Sequence, residues 1–212
     1  MSVSGCLISV EGLDGSGKST LLAALQKRLE RLGLGVLALR DPGGTDLAER
    51  IRQLLLEPKG QISPTVELFL FLAARADLTF RRIRPALAEG RWVLLDRFSD
   101  STMAYQAFGR GVVGPERCAE LNDLATGGLK PDLTLWLDAP LKVALARKRG
   151  QMADRIEQAE EAFYERVQAG YRWIWEREPD RVVRLRAEEP FEIVLEAAWE
   201  VVRGRFVCAH FR

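Results

Sequence analysis

The chain has 212 residues, 47% of them apolar and 29% charged, with a net charge of +1. That balance excludes a disordered or fibrous chain, and near-neutrality argues against bulk electrostatic affinity for nucleic acid or an anionic membrane. No stretch approaches the roughly 18 uninterrupted apolar residues of a membrane span, and no charged segment precedes the first apolar run, so the expectation is one cytoplasmic domain over 1–212. Cys6, Cys118 and Cys208 are far apart and in no C-x-x-C spacing, and His210 is the only histidine. They read as reduced thiols rather than a disulfide framework or zinc site, and any metal is expected to be Mg²⁺ held by oxygen.

The apolar run from Cys6 to Val10 reads as a strand and Thr20 to Leu25 as the opening of a helix. Between them Gly12, Leu13, Asp14, Gly15, Ser16, Gly17, Lys18 and Ser19 have the spacing G-x-x-x-x-G-K-S, with Thr20 next. Strand, loop, lysine and hydroxyl in that order make a phosphate-binding loop. The glycines let backbone N–H groups curl around phosphate oxygens, and the helix N-terminus adds its positive dipole end. Lys18 then reaches the β- and γ-phosphates of a nucleoside triphosphate, and Ser19 is placed to ligate Mg²⁺.

Further along, Leu21, Leu22, Leu25, Leu29 and Leu32 recur at helical spacing until Gly33 and Gly35. Val36 to Leu39 is a short strand, Arg40 to Gly44 a loop, and Thr45 an N-cap for a helix whose buried face is expected to be Leu47, Ile51, Leu54 and Leu55. A long helix is expected over 64–89, with a bend before Pro85, leading to a strand from Arg91 to Asp96. A helix over 99–106, a glycine-rich loop over 108–114 and a helix over 115–125 follow. Leu133 to Leu137 is apolar enough for a central parallel strand, Pro140 opens a helix, 159–176 is helical, 181–185 is a last strand and 190–202 a last helix. Strands alternating with helices imply an open five-stranded parallel α/β sheet with ligands at the carboxyl ends of the strands.

Asp96 and Arg97 fall at such a strand end. An acid there can orient Mg²⁺ and an arginine can bridge donor and acceptor phosphates; without the phosphate loop, an ordinary ion pair would explain them as well. Arg147, Lys148, Arg149 and Arg155 form a basic cluster that reads either as a lid near 147–157, closing over the γ-phosphate, or as a solvated surface. The run Arg81, Arg82 and Arg84 reads as surface.

These blocks together resemble the thymidylate kinase family, with the bacterial-type lid. The resemblance is carried by Glu11 to Thr20, Arg40 to Thr45, Leu70 to Arg75, Asp96 to Thr102 with Ala104 to Gln106, Pro131 to Thr134, and Asp154 to Glu157, in the family's order over about residues 5–200. It implies a P-loop nucleoside monophosphate kinase fold and transfer of the ATP γ-phosphoryl group to dTMP, in dTTP synthesis. Residue by residue, Asp14 resembles the acid near the acceptor's 3′-hydroxyl, Phe71 the ring that stacks on thymine, and Arg75 the donor to a thymine carbonyl. Thr102 and Gln106 would line the base and Tyr105 the sugar. Arg52 resembles a contact to the acceptor phosphate, Arg97 the arginine between the two phosphates, and Arg149 and Arg155 the lid. Adenine is expected between the lid and the turn from Ala187 to Pro190.

Taken alone, without the resemblance, Phe71 reads as a core residue, since Leu68, Phe69, Leu70 and Leu72 surround it in sequence. Asp41 departs from the family's usual glutamate, and Gly15 stands where one branch has arginine, which puts the cationic help on Arg149 and Arg155. The resemblance also implies a homodimer, to which the apolar helix from Val66 to Ala74 could contribute. Two rival functions remain at this level. A deoxynucleoside kinase would want a carboxylate base such as Glu11, and a regulatory ATPase would hydrolyse without an acceptor; a GTP switch would need an N-K-x-D block, which the sequence lacks.

Overall fold

The computed structural model describes residues 5–57, 61–147 and 160–207. Five strands, Leu7–Gly12 (β1), Val36–Arg40 (β2), Trp92–Asp96 (β3), Leu133–Asp138 (β4) and Val182–Arg186 (β5), form one sheet in the order β2-β3-β1-β4-β5. Every neighbouring pair is parallel. Successive strand residues point to opposite faces, so Ile8, Val10 and Leu94 join one core cluster while Leu7, Val93 and Leu95 join another. Burial on both faces is why the central strands are continuously apolar.

Parallel pairing requires crossovers, and helices supply them. They are Lys18–Arg31 (α1), Asp46–Leu56 (α2), Pro64–Leu78 (α3), Arg84–Ala88 (α4), Ser99–Thr102 (α5), Pro115–Thr126 (α6), Leu141–Arg147 (α7), Glu161–Arg177 (α8) and Phe191–Val202 (α9). The expected α/β architecture is therefore present. Among the described residues no helix is long and apolar enough to cross a membrane.

Several local expectations change. Thr45 does cap α2, accepting from Ala48 N–H at 3.1 Å, but the buried face is Ala48, Ile51 and Leu55. Leu47 and Leu54 are 51% and 53% exposed. At 100° per residue, positions 48, 51 and 55 share a stripe from which 47 and 54 turn away together. The expected long helix widens to π-helical over Thr79–Ile83 before α4, with Arg84 N–H donating to the Thr79 carbonyl. Pro85 has no N–H for the carbonyl four residues back, which relaxes the α register there. Likewise α5 continues as a π-helical segment, Met103–Gly109, so the loop before α6 is shorter than expected. Arg81, Arg82 and Arg84 are exposed as expected, although Arg82 donates to the Gly44 carbonyl and Arg84 to the carbonyls of Thr126 and Gly127 at the end of α6.

The register aligns the strand ends. Asp96 is the partner of Val10 on one side and of Arg40 on the other, so the acid of β3, the loop after β1 and the loop after β2 converge on one edge. From the far end of the sheet, Arg181 holds Asp100 of α5 through both carboxylate oxygens, at 2.7 and 2.9 Å.

Candidate active site

The loop after β1 is shaped by its first glycine. Gly12 has φ 138°, and a Cβ there would stand 2.5 Å from the Leu137 carbonyl oxygen of β4, so only glycine lets the chain turn this close to the neighbouring strand. Gly17 then leads into α1, whose first turn carries no acidic side chain. The N–H groups of that turn have no intrahelical acceptor, and the dipole end is positive, which suits an anion.

Lys18 is 6% exposed, donates to the Leu13 carbonyl at 2.8 Å and lies 3.5 Å from Asp14 Oδ1. Burial, with repulsion from Arg97, pushes its ammonium down to about 8 despite Asp14, Asp96 and Glu11. Such a group gains from an added negative charge. Ser19 Oγ donates to Asp96 Oδ2 at 2.6 Å, bringing the two expected metal-binding oxygens face to face. Oxygen donors of this kind fit Mg²⁺. Among the described residues no three His, Cys, Asp or Glu side chains gather as a metal cage, so a cation here would take its remaining oxygens from phosphate and water.

Arg97 has a left-handed backbone at φ 70°, the one positive φ among described non-glycine residues. Such strain, of order 1–3 kcal/mol, persists where the surroundings fix it. Here Arg97 N–H donates to the Val10 carbonyl at 3.0 Å, and Phe98 N–H donates to Glu11 Oε1 at 2.7 Å. The turn throws the guanidinium back over the phosphate loop, where Nη2 meets Asp14 Oδ1 at 2.8 Å and the Tyr105 hydroxyl at 3.3 Å. Burial opposes the charge on Arg97, but Asp14 above all, with Tyr105, Tyr171 and Glu11, outweighs it, and its pKa lies well above the usual value. Arg97 is a permanent cation.

Next to it opens a cleft of about 540 Å³. Asp14, Arg52, Phe71, Arg75, Arg97, Thr102, Tyr105 and Gln106 all line it, so every residue expected to meet the acceptor falls on one surface. Phe71 does both of the things its sequence allowed, packing against the core while presenting a face to the cleft. Arg75 is 1% exposed, with Nε on Asp41 Oδ2 at 2.6 Å, Nη1 on Thr102 Oγ1 and Asn122 Oδ1 at 2.7 Å each, and Nη2 on the Phe98 carbonyl at 3.1 Å. A guanidinium has five N–H donors, so one Nη2 hydrogen is left for a ligand carbonyl. Gln106 is oriented by Glu67, which accepts from its Nε2 at 3.0 Å. Arg52 donates to the Pro42 carbonyl, and burial, with repulsion from Arg40, lowers its pKa, leaving a cation poorly balanced by the protein.

A second cleft, of about 1060 Å³, contains Gly15, Gly17, Lys18, Ser19, Thr20 and Asp96. It shares Asp14, Asp41, Arg52 and Arg97 with the first. Those four residues are the seam between the triphosphate side and the cleft beside it. A third, less polar cleft, of about 640 Å³, runs from Gly17 and Thr20 to Ala187, Glu189 and Phe191, with Arg147 at its border. Of the basic cluster only Arg147 is described; Lys148, Arg149 and Arg155, and with them most of the lid expected near 147–157, lie outside the described residues.

Local sequence gives no structural part to Ser101, Asn122, Glu67 or Tyr171, and marks Glu11 as a block residue or rival base and Asp41 as a departure. Apart from Arg97 beside Ser101 and Cys118 beside Asn122, each four residues away, the hydrogen-bond partners of these side chains lie 23 to 160 residues off, which no local spacing encodes. The family model "Thymidylate kinase" matches residues 10–198. The chain belongs to the thymidylate kinase family. It is 47% identical over 201 residues to a thymidylate kinase of Alkalilimnicola ehrlichii, covering 93% of this chain and 92% of that protein. With a thymidylate kinase of Pseudomonas putida the identity is 48% over 195 residues, 91% and 92% of the two chains. With one from Synechococcus sp. (strain JA-3-3Ab) it is 45% over 203 residues, 95% and 97%. Members of this family are ATP-dependent phosphotransferases, and the loop, the seam and the acceptor cleft are the parts such a reaction needs.

Proposed function

We propose that the chain transfers the γ-phosphoryl group of ATP to the 5′-phosphate of dTMP, giving dTDP and ADP in dTTP synthesis. The observation that carries this is the seam: two arginines, Arg52 and Arg97, border both the triphosphate loop and the cleft that holds the base-binding set. In the transfer an acceptor phosphate oxygen forms a bond to the γ-phosphorus as the bond to the β–γ bridging oxygen breaks. Charge spreads over the three equatorial oxygens, so catalysis is positioning and charge stabilisation. Lys18 meets the donor phosphates, Arg52 the acceptor phosphate, and Arg97 the oxygens between them. Ser19 and Asp96 would hold Mg²⁺, which supplies further charge neutralisation on the donor. Arg149 and Arg155 keep, on sequence alone, the part of the remaining cations.

The acceptor is already ionised, so no strong general base is needed. Glu11, the base a nucleoside kinase would want, is fully buried and does not line the cleft; its oxygens accept from Phe98 N–H, Ser101 Oγ and the Tyr171 hydroxyl. That disfavours a hydroxyl acceptor. Phe71 stacks on the pyrimidine, the last Arg75 hydrogen reaches a ring carbonyl, Thr102 and Gln106 border the base, and Tyr105 lies under the sugar. The third cleft takes adenine.

We further assign a homodimer to the exposed apolar side chains of α2 and α3, Leu47, Leu54, Val66 and Phe69, each 48–57% exposed. Sedimentation at micromolar concentration tests it: a dimer is expected, and a monomer there contradicts it. The catalytic assignment is tested with Arg97→Ala, for which turnover is expected to fall by about 10³ with the fold retained. Near-normal turnover would remove Arg97 from the chemistry.

A further inference from the structure

Tyr171 belongs to no motif, yet its hydroxyl sits among the groups that hold Arg97. It donates to Glu11 Oε2 at 2.9 Å, accepts from Arg97 Nη1 at 3.3 Å and lies 3.0 Å from Ser101 Oγ. Ser101 Oγ in turn donates to Glu11 Oε2 at 2.6 Å and accepts from Arg97 Nη1 at 3.1 Å. The ring is fixed as well, stacked on Trp136 with centroids 6.0 Å apart and edge-on to Tyr105 at 6.4 Å.

Tyr171 is carried by α8, and the residue before it makes the reach possible. A Cβ at Gly170 would lie 2.8 Å from Ala104 Cα, in the π-helical segment that follows α5. A glycine inside a helix costs about 1 kcal/mol relative to alanine, so close approach of the two backbones is what the position gains in return. Asp14 lines both clefts, whereas Tyr171 lines neither, so an arriving phosphate can compete with Asp14 but leaves the Tyr171 contact in place.

We propose that Tyr171 is a positioning residue for phosphoryl transfer: with Ser101 and Glu11, its hydroxyl fixes the orientation of the Arg97 guanidinium, so α8 sets the geometry of the charge between the two phosphates. This rests on the assignment of Arg97 given above. A misplacement of about 1 Å at such a group can cost about 10²-fold in rate.

Tyr171→Phe removes one oxygen and keeps the ring. The expected result is a kcat lower by about 10- to 100-fold per folded site, with KM for dTMP and for MgATP within about twofold. In an Arg97→Lys background the same substitution should change kcat by less than about twofold, because its route to the chemistry is already gone. A merely structural hydroxyl would instead lower stability or the folded fraction and leave kcat per site alone. If Tyr171→Phe does not fold, Ser101→Ala removes the other hydroxyl held between Glu11 Oε2 and Arg97 Nη1 and should likewise lower kcat per folded site. An unchanged kcat per site, or an equal loss in both backgrounds, overturns the proposal. Should Arg97→Ala be impaired while Tyr171→Phe is not, only this inference fails; if Arg97→Ala is fully active, the assignment beneath it fails too.

Discussion

The phosphate loop is made from consecutive residues after β1 and shaped by backbone, whereas the acceptor cleft is made from side chains delivered by α2, α3, α5 and the π-helical segment after it. The loop needs glycines and a helix end, which one stretch of sequence can hold. The cleft needs Arg75 clamped among Asp41, Thr102, Asn122 and Phe98, which only the folded chain brings together. The consequence is a difference in what each side offers a ligand. The donor side offers backbone N–H groups to whatever anion arrives, while the acceptor side is ordered before the ligand comes and can therefore be selective.

The largest separation of the two regions should come from paired substitutions. Lys18→Ala is expected to abolish measurable transfer, at least about 10³-fold in kcat, with the chain still folded, although it gives up the bond to the Leu13 carbonyl and the contact with Asp14. Retained turnover in a folded variant would break the description of the donor side. Arg75→Ala should act on stability. It strands the buried Asp41, and breaking a buried pair costs about 3–5 kcal/mol, or about 10 °C in melting temperature for a domain this size. Calorimetry showing a change under about 2 °C would contradict a pre-assembled cleft.

A smaller effect follows from Lys18. Its pKa of about 8 in the free protein should rise when a triphosphate binds, so binding takes up a proton. Affinity for ATP is expected to weaken by up to about tenfold per pH unit above 8, and Lys18→Ala should remove that slope. Titration calorimetry in buffers of different ionisation enthalpy reads the proton directly, and zero uptake near pH 8 rules the effect out.

The smallest effect concerns Glu11. Burial first, then repulsion from Asp100, raises its carboxyl from 4.5 to about 7, against Arg97 and the hydrogen bonds from Ser101 and Phe98. The folded chain thus holds a proton that the unfolded chain has lost between those values. Its contribution to stability is present below the unfolded pKa and declines as pH rises through about 7. Melting curves from pH 4.5 to 7.5 should show Glu11→Gln less sensitive to pH than the parent, and parallel curves would contradict the shift.

The same contrast explains what could be read in advance. Strand and helix positions and the phosphate loop follow from periodicity and from one glycine-rich spacing, which are local, whereas the strand order is not among them. The π-helical segments do not, because Pro85 signals a break in register but not its form. Leu47 and Leu54 mislead because apolar residues on α2 fill two stripes, and only packing on Ala74 chooses Ala48, Ile51 and Leu55 as the inner one. Arg75 and Tyr105 are reached through family resemblance, while Tyr171 left a single trace, a glycine inside an amphipathic helix at position 170. Such a glycine points to close approach without naming the neighbour.

The most direct measurement is ADP production with MgATP and a panel of acceptors: dTMP, dUMP, dCMP, dAMP, dGMP, UMP and thymidine, with a control lacking acceptor. A pyrimidine carbonyl facing Arg75 and an ionised phosphate facing Arg52 and Arg97 predict strong preference for dTMP, weak use of dCMP and UMP, and no turnover of thymidine. Thymidine reacting while dTMP does not, or hydrolysis indifferent to every acceptor, would contradict the cleft as a monophosphate site.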